Sequence, residues 1–369
     1  ISVPRTVPVN ATVVIRPPSV GESRLERTMP QTLPEAVEPY PDISSKAYEH
    51  PADRAATAAL QSIPVLNTVV RKLVEYGYER SLRQSYLGDS IKVSERQLPE
   101  LYASYTGVHR ILDMPGDYDL YVTGGLGPLQ WNALTIGSQN PMLVIGSPLL
   151  AKLGAGEQRA VLGHELGHIL SDHVLYMTAL QILLRAGGSI GMLGVPLLPV
   201  RAVLLEWVRT AELSCDRAAV LAVRDPKIIC RTLMVLAGGV SADKLDLDAF
   251  MAQAMEYDNW EDGHDRVRRF FTEIGRTHAN AVRRVSEIMR WVQSGEYDRI
   301  QRGEYRKRSD PVDVREEAGD AFDFYSERFR GMFSEMGDSI TNLGNQVGNA
   351  SSQVAEWLRN RNSGNGGSS

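Results

Sequence analysis

His164-Glu165-Leu166-Gly167-His168 places two imidazoles and a carboxylate within five consecutive residues. On a helix, positions i and i+4 share a face, so both rings can reach one metal ion. Glu165 projects beside them, where a carboxylate can take the proton of a water activated by that ion. Val161, Leu162, Leu166 and Ile169 surround the motif with the apolar contacts that would bury such a helix.

A catalytic zinc needs a third protein ligand and an open position. The candidate is Glu212, in Ala211-Glu212-Leu213-Ser214-Cys215-Asp216-Arg217-Ala218, which follows the helical apolar run Val203, Leu204, Leu205, Trp207 and Val208. Asp216 falls one turn later on the same face, where it can accept the free ring N–H of a ligand histidine and fix its tautomer. The competing reading is a pair of ordinary surface carboxylates on a helix. The His-Glu-x-x-His run ahead of them favours ligation. The chemistry this implies is one zinc per chain and hydrolysis of peptide bonds in a polypeptide substrate, with Glu165 as general base.

These residues must be held by elements that the sequence also marks. Leu60, Ile63, Leu66, Val69, Val70 and Leu73 recur at helical spacing from about Pro51, and Pro64 marks a kink or a boundary between two helices. Leu120-Tyr121-Val122, Ala133 to Ile136 and Met142 to Ile145 are strand-like, with the turn signal Ser138-Gln139-Asn140-Pro141 between the last two. A helix from about Glu157 through Leu170 carries the motif, with Glu157 in its first turn, where the helix dipole favours a carboxylate.

The sequence resembles the zinc metallopeptidase family of the HtpX heat-shock protease and the CAAX prenyl protease, of the gluzincin type. The resemblance spans roughly residues 55–295 and rests on His164-Glu165-x-x-His168, on Glu212-x-x-x-Asp216, and on Asn132-Ala133 leading into the strand from Met142. Downstream, Thr277-His278-Ala279-Asn280 and Arg284 keep the family's His and Arg but lack its two prolines. The resemblance implies an α+β, mainly helical, zincin-like domain with a short antiparallel sheet. It further implies an edge strand at Asn132 to Gly137 that pairs with extended substrate, so that Asn132, Ala133 and Arg284 are substrate-binding candidates and His278 a catalytic donor to the developing oxyanion. An ordinary core hairpin and a surface histidine are the competing readings of the strand and of His278.

The rest of the chain bounds the function. Of 369 residues, 43% are apolar and 23% charged, and the net charge of −5 offers no basic field for nucleic acid. Arg299, Arg302, Arg306, Lys307 and Arg308 form a local basic cluster that reads as a solvated helix end. Two cysteines, Cys215 and Cys230, are too few for a disulfide framework or a thiolate cage and point to a reducing, cytoplasmic setting. Residues 1–50 read as a flexible Pro-rich arm, 51–308 as the peptidase domain, and 309–369 as an acidic amphipathic helix with a flexible tail. Phe322, Phe329, Phe333 and Met336 make that helix a candidate site for a protein partner. The apolar stretch 174–208 reads either as buried helices joined by a glycine-rich loop or as a membrane-dipping hairpin, since Arg185 and Arg201 interrupt the roughly 20 residues a span requires.

Other histidines lack a ligand pattern. His173 would be rotated off the ligand face of a continuing helix and reads as structural or solvated, and His50, His109 and His264 have no partner spacing. Cys215 reads as a small buried residue. Two other functions compete with the soluble endopeptidase: a non-catalytic metal-binding adaptor, which would have no use for Glu165, and a membrane-associated quality-control protease.

Overall fold

In the computed structural model, the described residues are 37–311 except 75–78, 125–130, 139, 187–197 and 260–279, all within the compact unit Thr32–Ser369. His278, the glycine-rich part of 174–208 and the acidic helix around Phe322–Met336 therefore lie outside the described residues.

The order is α1 (Pro51–Gln61), α2 (Pro64–Leu73), α3 (Glu79–Asp89), β1 (Ser90–Lys92), α4 (Pro99–Ile111), β2 (Asp119–Thr123), β3 (Ala133–Ile136), β4 (Met142–Gly146) and α5 (Ser147–Leu150). There follow α6 (Ala155–Leu170), α7 (Val174–Ala186), α8 (Leu198–Val223), α9 (Pro226–Gly238), α10 (Leu247–Asn259), α11 (Ala281–Gln293) and α12 (Glu296–Gln301). The architecture is α+β and mainly helical, as expected. Pro64 does open a second helix, because its missing N–H costs nothing in a first turn.

The sheet departs from the antiparallel expectation. Its strand order is β1-β2-β4-β3, and although β1–β2 and β3–β4 are antiparallel, β2 and β4 run parallel, with Leu120 opposite Leu143 and Val122 opposite Ile145. The β3–β4 hairpin enters with its second strand innermost, beside β2. Every residue of β4 is buried, as suits a strand covered on both faces.

Two cores meet along α8. One gathers α4, α6, α9, α11 and the far half of α8 around Leu162, Leu166, Val220 and Trp291; the other packs α1, α2 and α7 on Trp207, Leu204 and Val208. The arm expected over 1–50 is corrected at its end, because Tyr40, Ile43 and Tyr48 are buried in the first core. Three large apolar side chains in a short span outweigh the proline signal there. Part of the basic cluster secures this segment. Arg308 pairs with Asp42 at 3.3 Å and Asp113 at 2.7 Å, and Ile43 bridges to Lys307.

Candidate metal centre

The helices α6 and α8 approach so closely because their shared seam is lined by small residues. A Cβ at Gly163 would stand 2.6 Å from the Ala222 Cβ, and one at Gly167 would stand 2.8 Å from the Ala218 Cβ. Contacts under 3.0 Å are sterically prohibited, so Gly163 and Gly167 fix the spacing that brings the two ligand-bearing helices together. Gly167 sits inside the His-Glu-x-x-His run, and the four-residue repeat Gly163/Gly167 against Ala218/Ala222 was the signal in the sequence for this seam.

Across it, one carboxylate faces two rings. Glu212 Oε2 lies 3.5 Å from His164 Nε2, and Glu212 Oε1 lies 3.4 Å from His168 Nε2. Donor atoms bonded at about 2.0–2.1 Å to one tetrahedral zinc sit about 3.3–3.4 Å apart. The two Glu212–imidazole distances match that spacing, each through a different carboxylate oxygen, and carboxylate and imidazole are donors that suit such an ion. Glu212 and His168 are buried, while the His164 side chain keeps 12% of its surface exposed, which leaves the site open on that side.

His164, His168 and Cys215 also offer donor atoms within 4.8 Å of one another. The Cys215 sulfur also lies 3.7 Å from His173 Nδ1, the atom that stands 3.2 Å from His168 Nδ1. Burial, with Glu212 and Asp53 adding to it, pushes the Cys215 thiol well above its ordinary pKa and opposes the thiolate that ligation requires. Glu212 and Cys215 both stand beside the two rings as candidates for a third donor.

Asp216 stands behind His164, with its Oδ1 3.1 Å from the ring Nδ1. Arg284, on α11, forks onto Asp216 through Nε at 2.7 Å and Nη2 at 2.5 Å, and its Nη1 reaches Glu212 at 3.0 Å. Burial would raise the Asp216 carboxyl, but Arg284 and the His164 hydrogen bond outweigh it and hold it below its usual value. Burial likewise acts to lower His164, yet Glu212 and Asp216 raise it to about 10, whereas burial carries His168 down to about 4. Arg284, a substrate-binding candidate in the sequence, is buried against these carboxylates.

Glu165 is buried next to the sheet, and Thr135 of β3 donates to its Oε2 at 2.8 Å. Ala133 opens β3, which stands last in the strand order, and Asn132 precedes it, its side-chain oxygen accepting from the Ala133 N–H at 2.9 Å. Gly146 N–H donates to Asn132 O, so the backbone groups of Leu134 and Ile136 face β4 and those of Ala133 and Thr135 face away. All four β3 residues are buried; exposure begins at its start, where Trp131 is 50% exposed.

His173 reads from the sequence as off the ligand face and structural or solvated; the structure makes it buried and structural, and corrects only the continuing helix assumed there. The helix α6 stops at Leu170, Asp172 takes a left-handed φ of 56°, and His173 N–H donates back to His168 O at 2.9 Å. The reversal delivers the His173 ring to the back of His168. Asp53, Thr135 and Gly163 were also missed, the first two because their contacts with the site are non-local.

The sequence pattern of peptidase family M48 matches residues 96–292. A protein of Arabidopsis thaliana described as plastoglobule-localized metallopeptidase 48, chloroplastic, is 32% identical over 295 residues, covering 78% of this chain and 84% of that protein. No solved structure gives a significant match.

Proposed function

The chain belongs to peptidase family M48, a metallopeptidase family, and from that premise we propose a zinc-dependent endopeptidase. In this reading His164, His168 and Glu212 hold the zinc and Glu165 is the general base. The observation that carries it is the single Glu212 carboxylate facing both imidazole Nε2 atoms at 3.4–3.5 Å. Zinc, when bound, supplies polarisation of the scissile carbonyl and acidifies the attacking water.

The chain's own residues do the rest. Glu165 accepts a proton from that water and later delivers it to the leaving amine nitrogen. Thr135 holds the Glu165 carboxylate through its hydroxyl, which restrains the rotamer of the base. Asp216 orients His164. Arg284, expected as a substrate contact, is better placed as the cation that fixes Glu212 and Asp216. Extended polypeptide enters along the Asn132–Ala133 end of β3 and pairs with backbone there, and His278 serves as a donor to the developing oxyanion.

A location at a lipid surface is a second part of the proposal, favoured by the apolar 174–208 stretch and by the relative described as plastoglobule-localized. Among the described residues no helix is long and apolar enough to cross a membrane. Flotation with liposomes tests it, and a chain that stays with the soluble fraction refutes it. The central reading is tested by metal analysis of the purified chain together with cleavage of an unstructured protein, with and without a chelator. One zinc per chain and chelator-sensitive cleavage are expected; cleavage that survives complete metal removal would overturn it.

A further inference from the structure

Behind His168 lies a run of buried polar groups that none of the chemistry above uses. His168 Nδ1 is 3.2 Å from His173 Nδ1, and His173 Nε2 is 3.1 Å from Asp53 Oδ2. Asp53 belongs to α1, outside the residues that the family pattern matches. Its two oxygens also accept from Ser214 Oγ at 2.5 Å and Thr57 Oγ1 at 3.1 Å, and Thr57 in turn accepts from Trp207 Nε1 at 2.8 Å. Asp53 and His173 are each 1% exposed, so no solvent competes for these bonds.

We infer that Asp53 and His173 are positioning residues for the metal, a two-step relay that fixes the tautomer and orientation of His168. The inference rests on the zinc site proposed above. The logic follows from counting protons. A neutral His168 that offers its Nε2 lone pair to an ion must carry its proton on Nδ1, and that N–H needs an acceptor. His173 Nδ1 is the atom in front of it. For this nitrogen to accept, the His173 proton must sit on Nε2, where it points at the Asp53 carboxylate. The carboxylate is acceptor-only, and Ser214 and Thr57 hold it as such from the other side. The Cys215 thiol also faces His173 Nδ1, at 3.7 Å, and as a weak donor it agrees with an acceptor there. With both rings neutral and Asp53 ionised, every bond in the chain has one donor and one acceptor only when the lone pair of His168 Nε2 faces the metal site. Outer partners of this kind typically carry 10- to 100-fold in metal affinity.

The experiment is a zinc titration of the full chain against a competing chelator, with the melting temperature of the metal-free form recorded beside it. His173→Phe keeps bulk but has no acceptor, and Asp53→Asn puts a donor where an anion stood. Each is expected to weaken zinc by about 10- to 100-fold. The double variant should bind no more weakly than His173→Phe alone, because Asp53 acts through His173. His173→Gln, which restores an acceptor, should regain most of the loss. Should Asp53→Asn fold poorly, Ser214→Ala and Thr57→Val each remove one donor to Asp53 and should show a smaller loss of the same sign. Lower melting temperatures with unchanged zinc affinity, or additive losses in the double variant, overturn the relay. Tight zinc binding by parent and variants alike overturns the relay alone, whereas a parent that takes up no zinc overturns the site and the relay together.

Discussion

His164 and His168 are the same residue one turn apart on one helix, yet their surroundings are opposites. Behind His164 stand the Asp216 carboxylate and the Arg284 guanidinium, contributed by α8 and α11. Behind His168 stands a second imidazole, with its carboxylate one residue further away, contributed by α1 and the turn after α6. The first ring is drawn toward its protonated form, up to about 10, against the burial that would lower it; the second is driven by burial toward neutrality, down to about 4. The difference teaches that a ligand pair set by local spacing acquires its proton inventory from remote segments. These opposite directions favour the imidazolium at His164, on the side where the carboxylates are, and the neutral ring at His168.

The largest effects should come from the two glutamates that share this space. Glu165→Gln cannot take a proton, so zinc should stay at about one per chain while hydrolysis falls by roughly 10²–10⁴-fold. Glu212→Gln should lose activity too, but by loosening the metal. Metal content measured beside activity separates them, and equal zinc retention in both would remove Glu212 from the ligand set.

On the His164 side, Arg284→Met leaves two buried carboxylates without their cation. It should cost on the order of 3–5 kcal/mol in denaturant unfolding. A change under about 1 kcal/mol would show that the cluster is not the ionic support drawn here. A smaller loss, about 1–3 kcal/mol, is expected from Gly163→Ala, since its methyl must push α6 off Ala222. Zinc affinity should fall with it, because the seam sets the distance from both rings to Glu212.

The comparison itself is sharpened by pH. Zinc needs neutral imidazoles, and in the empty site His164 is drawn to its imidazolium form below about 10 while His168 stays neutral above about 4. Lowering the pH through the range between them should therefore weaken zinc about tenfold per pH unit, with one proton released per ion bound. Calorimetry in buffers of different ionisation enthalpy counts that proton; a count near zero, or near two, would contradict the asymmetry.

Much of the front of the centre was legible. Local periodicity marks α6 and the seeds of β2, β3 and β4, and turn residues set them apart. Glu212 and Asp216 could be placed on one face because both lie on a single helix. The parallel pairing of β2 with β4 was not legible, since the choice of partner strand is non-local. Nor was the role of His173, because extrapolating a helix past Leu170 misses the left-handed turn at Asp172. Arg284 and Asp53 illustrate the same limit. Their charges mean little in sequence and become specific only against carboxylates and rings far along the chain. The segment 40–48 was misread because composition averages over its neighbours, while burial depends on three side chains.

The position of Arg284 also has a consequence in time. The ribosome adds it more than a hundred residues after His168, at synthesis rates that make the interval on the order of ten seconds. Once Glu212 and Asp216 have been added, they wait through the last roughly 70 residues of that interval without the cation that fixes them. The cation that fixes these carboxylates is thus a late addition to the centre. Chains stalled on the ribosome before Arg284 should bind zinc more weakly than the released protein, and equal affinity in a competition assay would show that the delay leaves the centre unaffected.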